Sequence, residues 1–322
     1  MLKRLLHAAA YQREDAERIS LVRRMAHFVR CAAHLALFRE WLGNTSNPLL
    51  EEALLQRPSL VTRVLHPYLN ADWSLEHKLA TISGHYETLR GPLAFLRFPV
   101  SEAITLATLG ESLRILLDKP GRFEHEGELA INLFRSDSRL YSLVFTLGQI
   151  NGQKVAYIGG LQGTSGPDAL ELYRSITHRM HGLRPRDLLV TAFRLLCVAL
   201  GVSRILAISD SNRVCSQSYF KSNAQVFTSY NSVWIESGAS ASAGGFYELN
   251  PHYLARAAED IPTRKRALYR RRYAMIADIA TQIGAVVGRH DARPNQVGVT
   301  PQQPWTPRDG DFGRVASTVS ER

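Results

Sequence analysis

The sequence predicts an α+β protein in which a helical N-terminal region packs on a mixed, mostly antiparallel sheet with one strand–helix–strand crossover. Three observations predict it. Residues 141–149 and 154–161 are rich in Val, Tyr, Phe and Leu, and Asn151-Gly152 between them is a pair that tolerates the two positive φ angles of a type I′ hairpin. Residues 188–200 form an almost wholly apolar helical run, with Pro185 suited to a first helical position and Gly201 to the stop. Residues 205–208 are apolar, too short for a helix and bounded by polar residues, and so read as a buried strand parallel to the one at 154–161.

Taken in order, residues 12–42 carry Leu21, Met25, Phe28, Ala32, Leu35 and Phe38 at steps of three and four, a helix that Gly43 and Asn44 stop. Asn47-Pro48 opens a short helix to Gln56, and Pro67 biases His66 away from helix, predicting a turn. Ser74 suits the N-cap of a helix with Leu75, Leu79, Ile82, Tyr86 and Leu89 on one stripe, ended by Gly91-Pro92. Residues 101–117 fit either a helix begun at Ser101 or strands around Ile104 and Ile115. Residues 122–126 and 128–135 alternate around Gly127 and predict two more strands of a meander. Beyond Ser209, Asp210 caps a short helix towards Lys221. Residues 232–236 and 245–249 then read as a strand pair joined by a flexible Gly/Ala/Ser loop. A last helix carries Leu268, Ile276, Ile279, Ile283 and Val287 on one side. The expected division is a helical region at 1–98, an α+β core at 99–287 and a polar, disordered tail at 288–322.

The 322 residues are 45% hydrophobic, enough for one large domain or two modest ones. A net charge of +10 favours anionic partners: nucleic acid, phospholipid head groups or phosphate-bearing cofactors. Cys31, Cys197 and Cys215 form no framework and no CxxC pair, which points to a reducing compartment. The apolar run near Met1 is too short for a signal peptide, and nowhere do about 18 apolar residues run together. A soluble, cytoplasmic protein without a transmembrane segment is expected. His66, His77 and His85 match no common ligand spacing, so no metal is expected.

Three features carry candidate chemistry. Gly159, Gly160, Gln162 and Gly163 read either as a cradle for a phosphate or acyl donor, since glycine lets a ligand approach the backbone, or as a β-bulge. Arg184 and Arg186 flank a helix start, where cations oppose the dipole unless an anion lies between them. Six of the nine residues from 264 to 272 are basic, namely Arg264, Lys265, Arg266, Arg270, Arg271 and Arg272. A charge run is commonly a solvated face, but this one lacks interleaved acids and fits an anionic surface.

His66-Pro67-Tyr68-Leu69, Gly84-His85-Tyr86, Ile158 to Gly163, Leu183-Arg184-Pro185-Arg186 and the basic run through Arg272 together resemble the VirK/YbjX family of Gram-negative bacteria, over roughly residues 45–285. That resemblance implies a role in virulence, envelope integrity and tolerance of cationic antimicrobial peptides. It brings no established reaction. The meander, crossover helix and parallel strand are similar to the Gcn5-related N-acetyltransferase (GNAT) fold, which implies coenzyme A or an acyl derivative held near Gly159–Gly163 and Arg184-Pro185-Arg186. The compact glycine loop of that fold is absent here, and some twenty residues separate Gly163 from Arg184. A GNAT-type reaction needs a base for the attacking group and an acid for the departing thiolate. Glu236 and Lys221 are the acid–base candidates, with Tyr219 and Tyr230 as proton donors; the bland reading of all four is structural. The resulting expectation is a VirK-like envelope factor, peripheral at the inner membrane, that transfers an acyl-type group to an envelope precursor. The alternative is a non-catalytic adaptor that binds anionic lipid or a protein through the basic helix. Nucleic acid ranks last, for want of a reader motif.

Overall fold

A computed structural model of the chain describes Val29 and residues 32–43, 47–57, 59–97, 99, 102–166, 168–216, 229–292 and 300–301. The helices are α1 (Leu35–Gly43), α2 (Pro48–Gln56), α3 (Ser59–Arg63), α4 (Leu75–Thr88), α5 (Ala169–Arg179), α6 (Pro185–Ala199), α7 (Tyr230–Glu236) and α8 (Arg266–Ala292). The strands are β1 (Glu102–Leu109), β2 (Leu113–Asp118), β3 (Leu129–Arg135), β4 (Ser138–Ile150), β5 (Gln153–Gly163), β6 (Arg204–Ile208), β7 (Ser240–Ser242) and β8 (Phe246–Leu249), with a two-residue β9 (Thr300–Pro301) against the start of β1. Their order is β7-β8-β6-β5-β4-β3-β2-β1-β9, and every pair is antiparallel except β5 with β6.

The Asn151-Gly152 turn sits where it was expected, with both residues at positive φ (51° and 77°). Val155–Ile158 runs parallel to Arg204–Ala207, and α5 and α6 make the crossover between them. Pro185 is the first residue of α6, and Gly201 (φ 69°) lets the chain leave it. Leu188, Leu189, Ala192, Phe193 and Leu196 bury one face of α6; Phe193 meets Phe145 of β4 at 4.8 Å between ring centroids. Ile276, Ile279 and Ile283 of α8 join the same core, which reaches back to Phe38 of α1 and Leu50 of α2.

Several expectations are corrected. Residues 232–236 form no strand: Ser229 accepts the Ser232 N–H as an N-cap, and Tyr230, Val233 and Trp234 bury one side of α7. The hairpin partner of β8 is β7, within the loop expected to be flexible, and its other neighbour is β6. Residues 122–126 are not a strand, because Pro120-Gly121 (φ 54°) starts a 3₁₀ turn over Gly121–Phe123. Residues 102–117 settle as β1 and β2, hinged at Gly110 (φ 60°), while Ser101 lies outside the described residues. Helix α8 runs past Gly288 to Ala292, and Thr300–Pro301 pairs with β1, so these parts of the expected tail are structured. In the predicted 12–42 helix, α1 begins at Leu35; Leu21, Met25 and Phe28 lie outside the described residues. The helix expected after Asp210 is a 3₁₀ turn at Val214–Ser216, and its continuation to Lys221 also lies outside them.

Candidate functional site

One sheet face meets α6 and α8; the opposite face carries the polar chemistry. The register pairs Asn132 with Ser142 and Ser142 with Gln162, and likewise Ala130 with Val144 and Val144 with Gly160, so these residues share that second face. The turn after Pro120 brings the chain back across it. Phe123 settles on Ala130 and Val144, and Glu126 comes to rest on Gly159 and Gly160. Between Val144 and Phe145 the register skips Gly159, which is the extra residue of a β-bulge. A Cβ at Gly159 would overlap the Glu126 carbonyl oxygen, and one at Gly160 would overlap its Oε2. The glycines therefore accept a close approach, and what approaches them is Glu126. At Gly163 the same space is taken by Tyr141 and Tyr173.

Glu126 is buried, at 4% exposure. Its Oε1 accepts from Gln162 Nε2 at 2.5 Å, while Oε2 has no hydrogen-bond partner. Burial pushes the carboxyl up to about 8, against the opposing pull of Gln162, Arg213 and Arg122. Beside it, β5 and β6 part company after Ile158 and Ala207, which leaves the Leu161 N–H without a strand to bond. Tyr230 Oη accepts that N–H at 2.8 Å. Burial and the charge of Glu126 both raise the Tyr230 hydroxyl well above its ordinary value. The tyrosine is fixed through Asp210, whose carboxylate accepts the N–H groups of Tyr230 (2.8 Å) and Asn231 (3.1 Å) and the Ser229 hydroxyl (2.6 Å). Arg213 lies over the Tyr230 ring at 4.7 Å and pairs with Asp210 at 3.5 Å. Cys215 completes the cluster; burial and the nearby Glu126 push its thiol up to about 11, so it is held as a thiol rather than a nucleophilic thiolate.

Two residues further on, Glu128 has the opposite surroundings. It is fully buried and bound by Arg57 (3.1 Å), by Arg63, and by the hydroxyls of Tyr68 (3.0 Å) and Tyr86 (3.3 Å). Burial alone would raise it, but Arg63 and Arg57 outweigh burial and hold it down at about 2. Beside it, His85 Nδ1 accepts the Leu147 N–H at 3.2 Å, on the stretch of β4 that extends past β3. Burial lowers His85 to about 3, so it is neutral with its proton on Nε2. The His66-Pro67-Tyr68-Leu69 and Gly84-His85-Tyr86 motifs thus converge on one buried carboxylate, and their part in the site is to anchor the loop that carries Glu126.

Of the residues singled out from sequence, Tyr230, Gly159, Gly160 and Gln162 meet around Glu126. Gly163 sits one residue beyond Gln162, against Tyr141 and Tyr173. Glu236 ends α7 instead of a strand, and its carboxylate accepts from Arg184 (3.3 Å) and Arg186 (2.6 Å). The carboxylate between the two arginines is that of Glu236, joined by Asp187 on Arg186 at 2.9 Å. Lys221 and Tyr219 lie outside the described residues. Arg264, Lys265, Arg266, Arg270 and Arg271 are exposed around the start of α8, whereas Arg272 turns inward and bonds the His181 carbonyl at 2.8 and 3.0 Å. Glu126 and Arg213 escaped the sequence reading. The only signal was acid-Gly-acid ahead of an apolar strand, and nothing in it says which acid will be paired. Among the described residues no group of three or more His, Cys, Asp or Glu could hold a metal, and no helix is long and apolar enough to cross a membrane.

Fold and site define an α+β protein whose mixed sheet parts at a glycine bulge, with a buried, half-partnered carboxyl and a tyrosine hydroxyl at the parting. The chain belongs to the DUF535 family, "Protein of unknown function (DUF535)", which matches residues 17–285 and is the family of YbjX and VirK. It is 30% identical over 258 residues to "Uncharacterized protein YbjX" of Escherichia coli (strain K12), spanning 77% of this chain and 78% of that protein. An "Uncharacterized protein" of Haemophilus influenzae is 33% identical over 131 residues, 41% of this chain and 43% of the relative. "Membrane protein LapB" of Mannheimia haemolytica is 26% identical over 164 residues, 51% of this chain and 72% of the relative. No solved structure matches the chain.

Proposed function

We propose that this protein transfers an acyl-type group to an envelope precursor, with Glu126 as proton acceptor and Tyr230 as proton donor. The observation that carries this reading is the Glu126 carboxyl: buried, with Oε2 unpartnered, set on a glycine bulge beside the opening of two parallel strands, and pushed up to about 8. A carboxyl with that affinity for protons is matched to taking one from an amine or hydroxyl near neutral pH, where an ordinary carboxylate is too weak a base. Tyr230 bonds the strand through its oxygen lone pair and so retains its own proton to give.

Coenzyme A or an acyl derivative is the donor this reading calls for, and it would supply the activated acyl group. The glycines, filled by Glu126 and by Tyr141 and Tyr173, do not suit its phosphates. Arg184 and Arg186 do in kind: they stand at the start of a fifteen-residue helix that has no side-chain cap, and a half-exposed Glu236 is their exchangeable partner. The envelope, virulence and peptide-tolerance setting, and a place at the cytoplasmic side of the inner membrane, rest on the resemblance to VirK and YbjX and on the word "membrane" in the name of the LapB relative.

Isothermal titration of the full chain with acetyl- and longer acyl-coenzyme A tests the donor. Binding that Arg186→Ala weakens and Glu236→Gln strengthens is the expected result. Slow thioester hydrolysis, followed by thiol release, should rise with pH through about 8 and flatten in Glu126→Gln. A folded sample that ignores these ligands at millimolar concentration would leave the non-catalytic adaptor as the better reading.

A further inference from the structure

The start of α8 carries a surface that the site does not use. The side chains of Arg264, Lys265, Arg270 and Arg271 make no hydrogen bond or ion pair among the described residues, and that of Arg266 reaches only the Ile261 carbonyl at 3.3 Å. Glu259 and Asp260, the acids just upstream, form no ion pair with any of them, and the first turn of α8 holds no acid. These cations serve neither a salt-bridge network nor the helix dipole, which they oppose.

The tertiary structure adds a second component. The Arg256 N–H donates to Tyr273 Oη at 3.0 Å, which lays the 253–257 segment along α8. Tyr273 follows Arg266 and Arg270 by seven and three residues and so shares their side of the helix. That segment brings a further exposed cation, Arg256, and Leu254, which is 72% exposed. Tyr269 and Tyr273, half-buried with ring centroids 5.8 Å apart, accompany the arginines on α8. A cationic face with an exposed leucine and tyrosines at its margin has the composition of an interfacial anchor, in which cations meet head groups and the apolar side chain enters the acyl boundary.

We infer that the face formed by Arg256, Arg264, Lys265, Arg266, Arg270 and Arg271 with Leu254 docks on an anionic lipid bilayer. Charge complementarity selects the partner, and Leu254 favours lipid over a nucleic-acid backbone, to which an exposed leucine contributes nothing. The inference stands apart from the group-transfer reading, since neither Glu126 nor Tyr230 takes part.

Co-sedimentation of the full chain with phosphatidylcholine vesicles, with and without phosphatidylglycerol, is the test. Binding should require the anionic lipid and weaken at high salt, where screening shortens to a few ångströms. Each exposed cation contributes about a fivefold gain near such a surface, so Arg270→Glu with Arg271→Glu should lower the association constant at least about 30-fold. Leu254→Ser should remove the part of the binding that survives salt. Circular dichroism melts of the variants establish that they are folded, as expected for side chains in solvent. Equal binding to neutral and anionic vesicles, or wild-type binding by the folded charge-reversal variant, overturns the inference. So does capture of the same face by duplex nucleic acid in competition with vesicles.

Discussion

Glu126 and Glu128 stand two residues apart and respond to pH in opposite directions. The folded state holds Glu126 protonated up to about 8, above the 4.5 of a free carboxyl. The stability this contributes is complete below about 4.5 and is lost as pH rises through 8, because the unfolded chain ionises first. Glu128, held at about 2, contributes stability above 4.5 that is lost as pH falls towards 2. Glu126→Gln should therefore melt above the wild type at pH 8, by an amount on the order of 3 kcal/mol, with the gap closing towards pH 4. Glu128→Gln should lose about 3–5 kcal/mol near neutrality, because Arg57 loses its carboxylate and buried Arg63 keeps only Glu124, at 3.8 Å, among the described residues. Urea titrations across this pH range measure both, and parallel profiles for the two variants would show that the acids share one environment.

At the scale of the element, β5 is where sequence and site meet. Its bulge at Gly159 turns the strand so that Gly160 and Gln162 face Glu126 while Ile158 and Leu161 stay in the core. Gly159→Ala places a methyl group against the Glu126 carbonyl, part of the backbone and unable to yield as a side chain would. It should cost about 3 kcal/mol or more by urea denaturation. Gly160→Ala meets only the Glu126 side chain, which can turn aside where backbone cannot, so it should fold and titrate differently, its rise in thiol release with pH displaced from about 8. Helix α7 has a comparable division: Asp210 fixes its first turn, and Glu236 at its last holds Arg184 and Arg186. Glu236 and both arginines are exposed or half-buried, so Glu236→Ala should change stability by less than about 1 kcal/mol while altering anion binding.

Over the whole molecule, one cluster of buried side chains runs from Phe38 and Leu50 through the sheet to Ile283 and Val286. Among the described residues the N-terminal helices and the sheet therefore share one main core, and they should unfold in one step. Far-UV circular dichroism, which follows the helices, and tryptophan fluorescence from Trp41 and Trp234, buried in α1 and α7, should melt at one temperature. Two resolved midpoints would mean that the helical region folds on its own.

What the sequence determined by itself was whatever is decided within a few residues. Asn151-Gly152 set a hairpin, Pro185 and Gly201 bounded α6, and the apolar run at 205–208 was too short to be anything but a strand, so the crossover and its parallel pair were legible. Local pattern misled where two conformations compete at short range: residues 232–236 alternate like a strand until the Ser229 cap and the burial of Trp234 favour a helix. The site itself was decided only by the tertiary structure. Which group fills the space at a glycine pair, which carboxylate two arginines meet, and which of two glutamates is left half-partnered depend on groups some 35 to 70 residues apart. The free energy of a buried charge is set by the neighbours that folding brings to it, and no stretch of chain contains those neighbours.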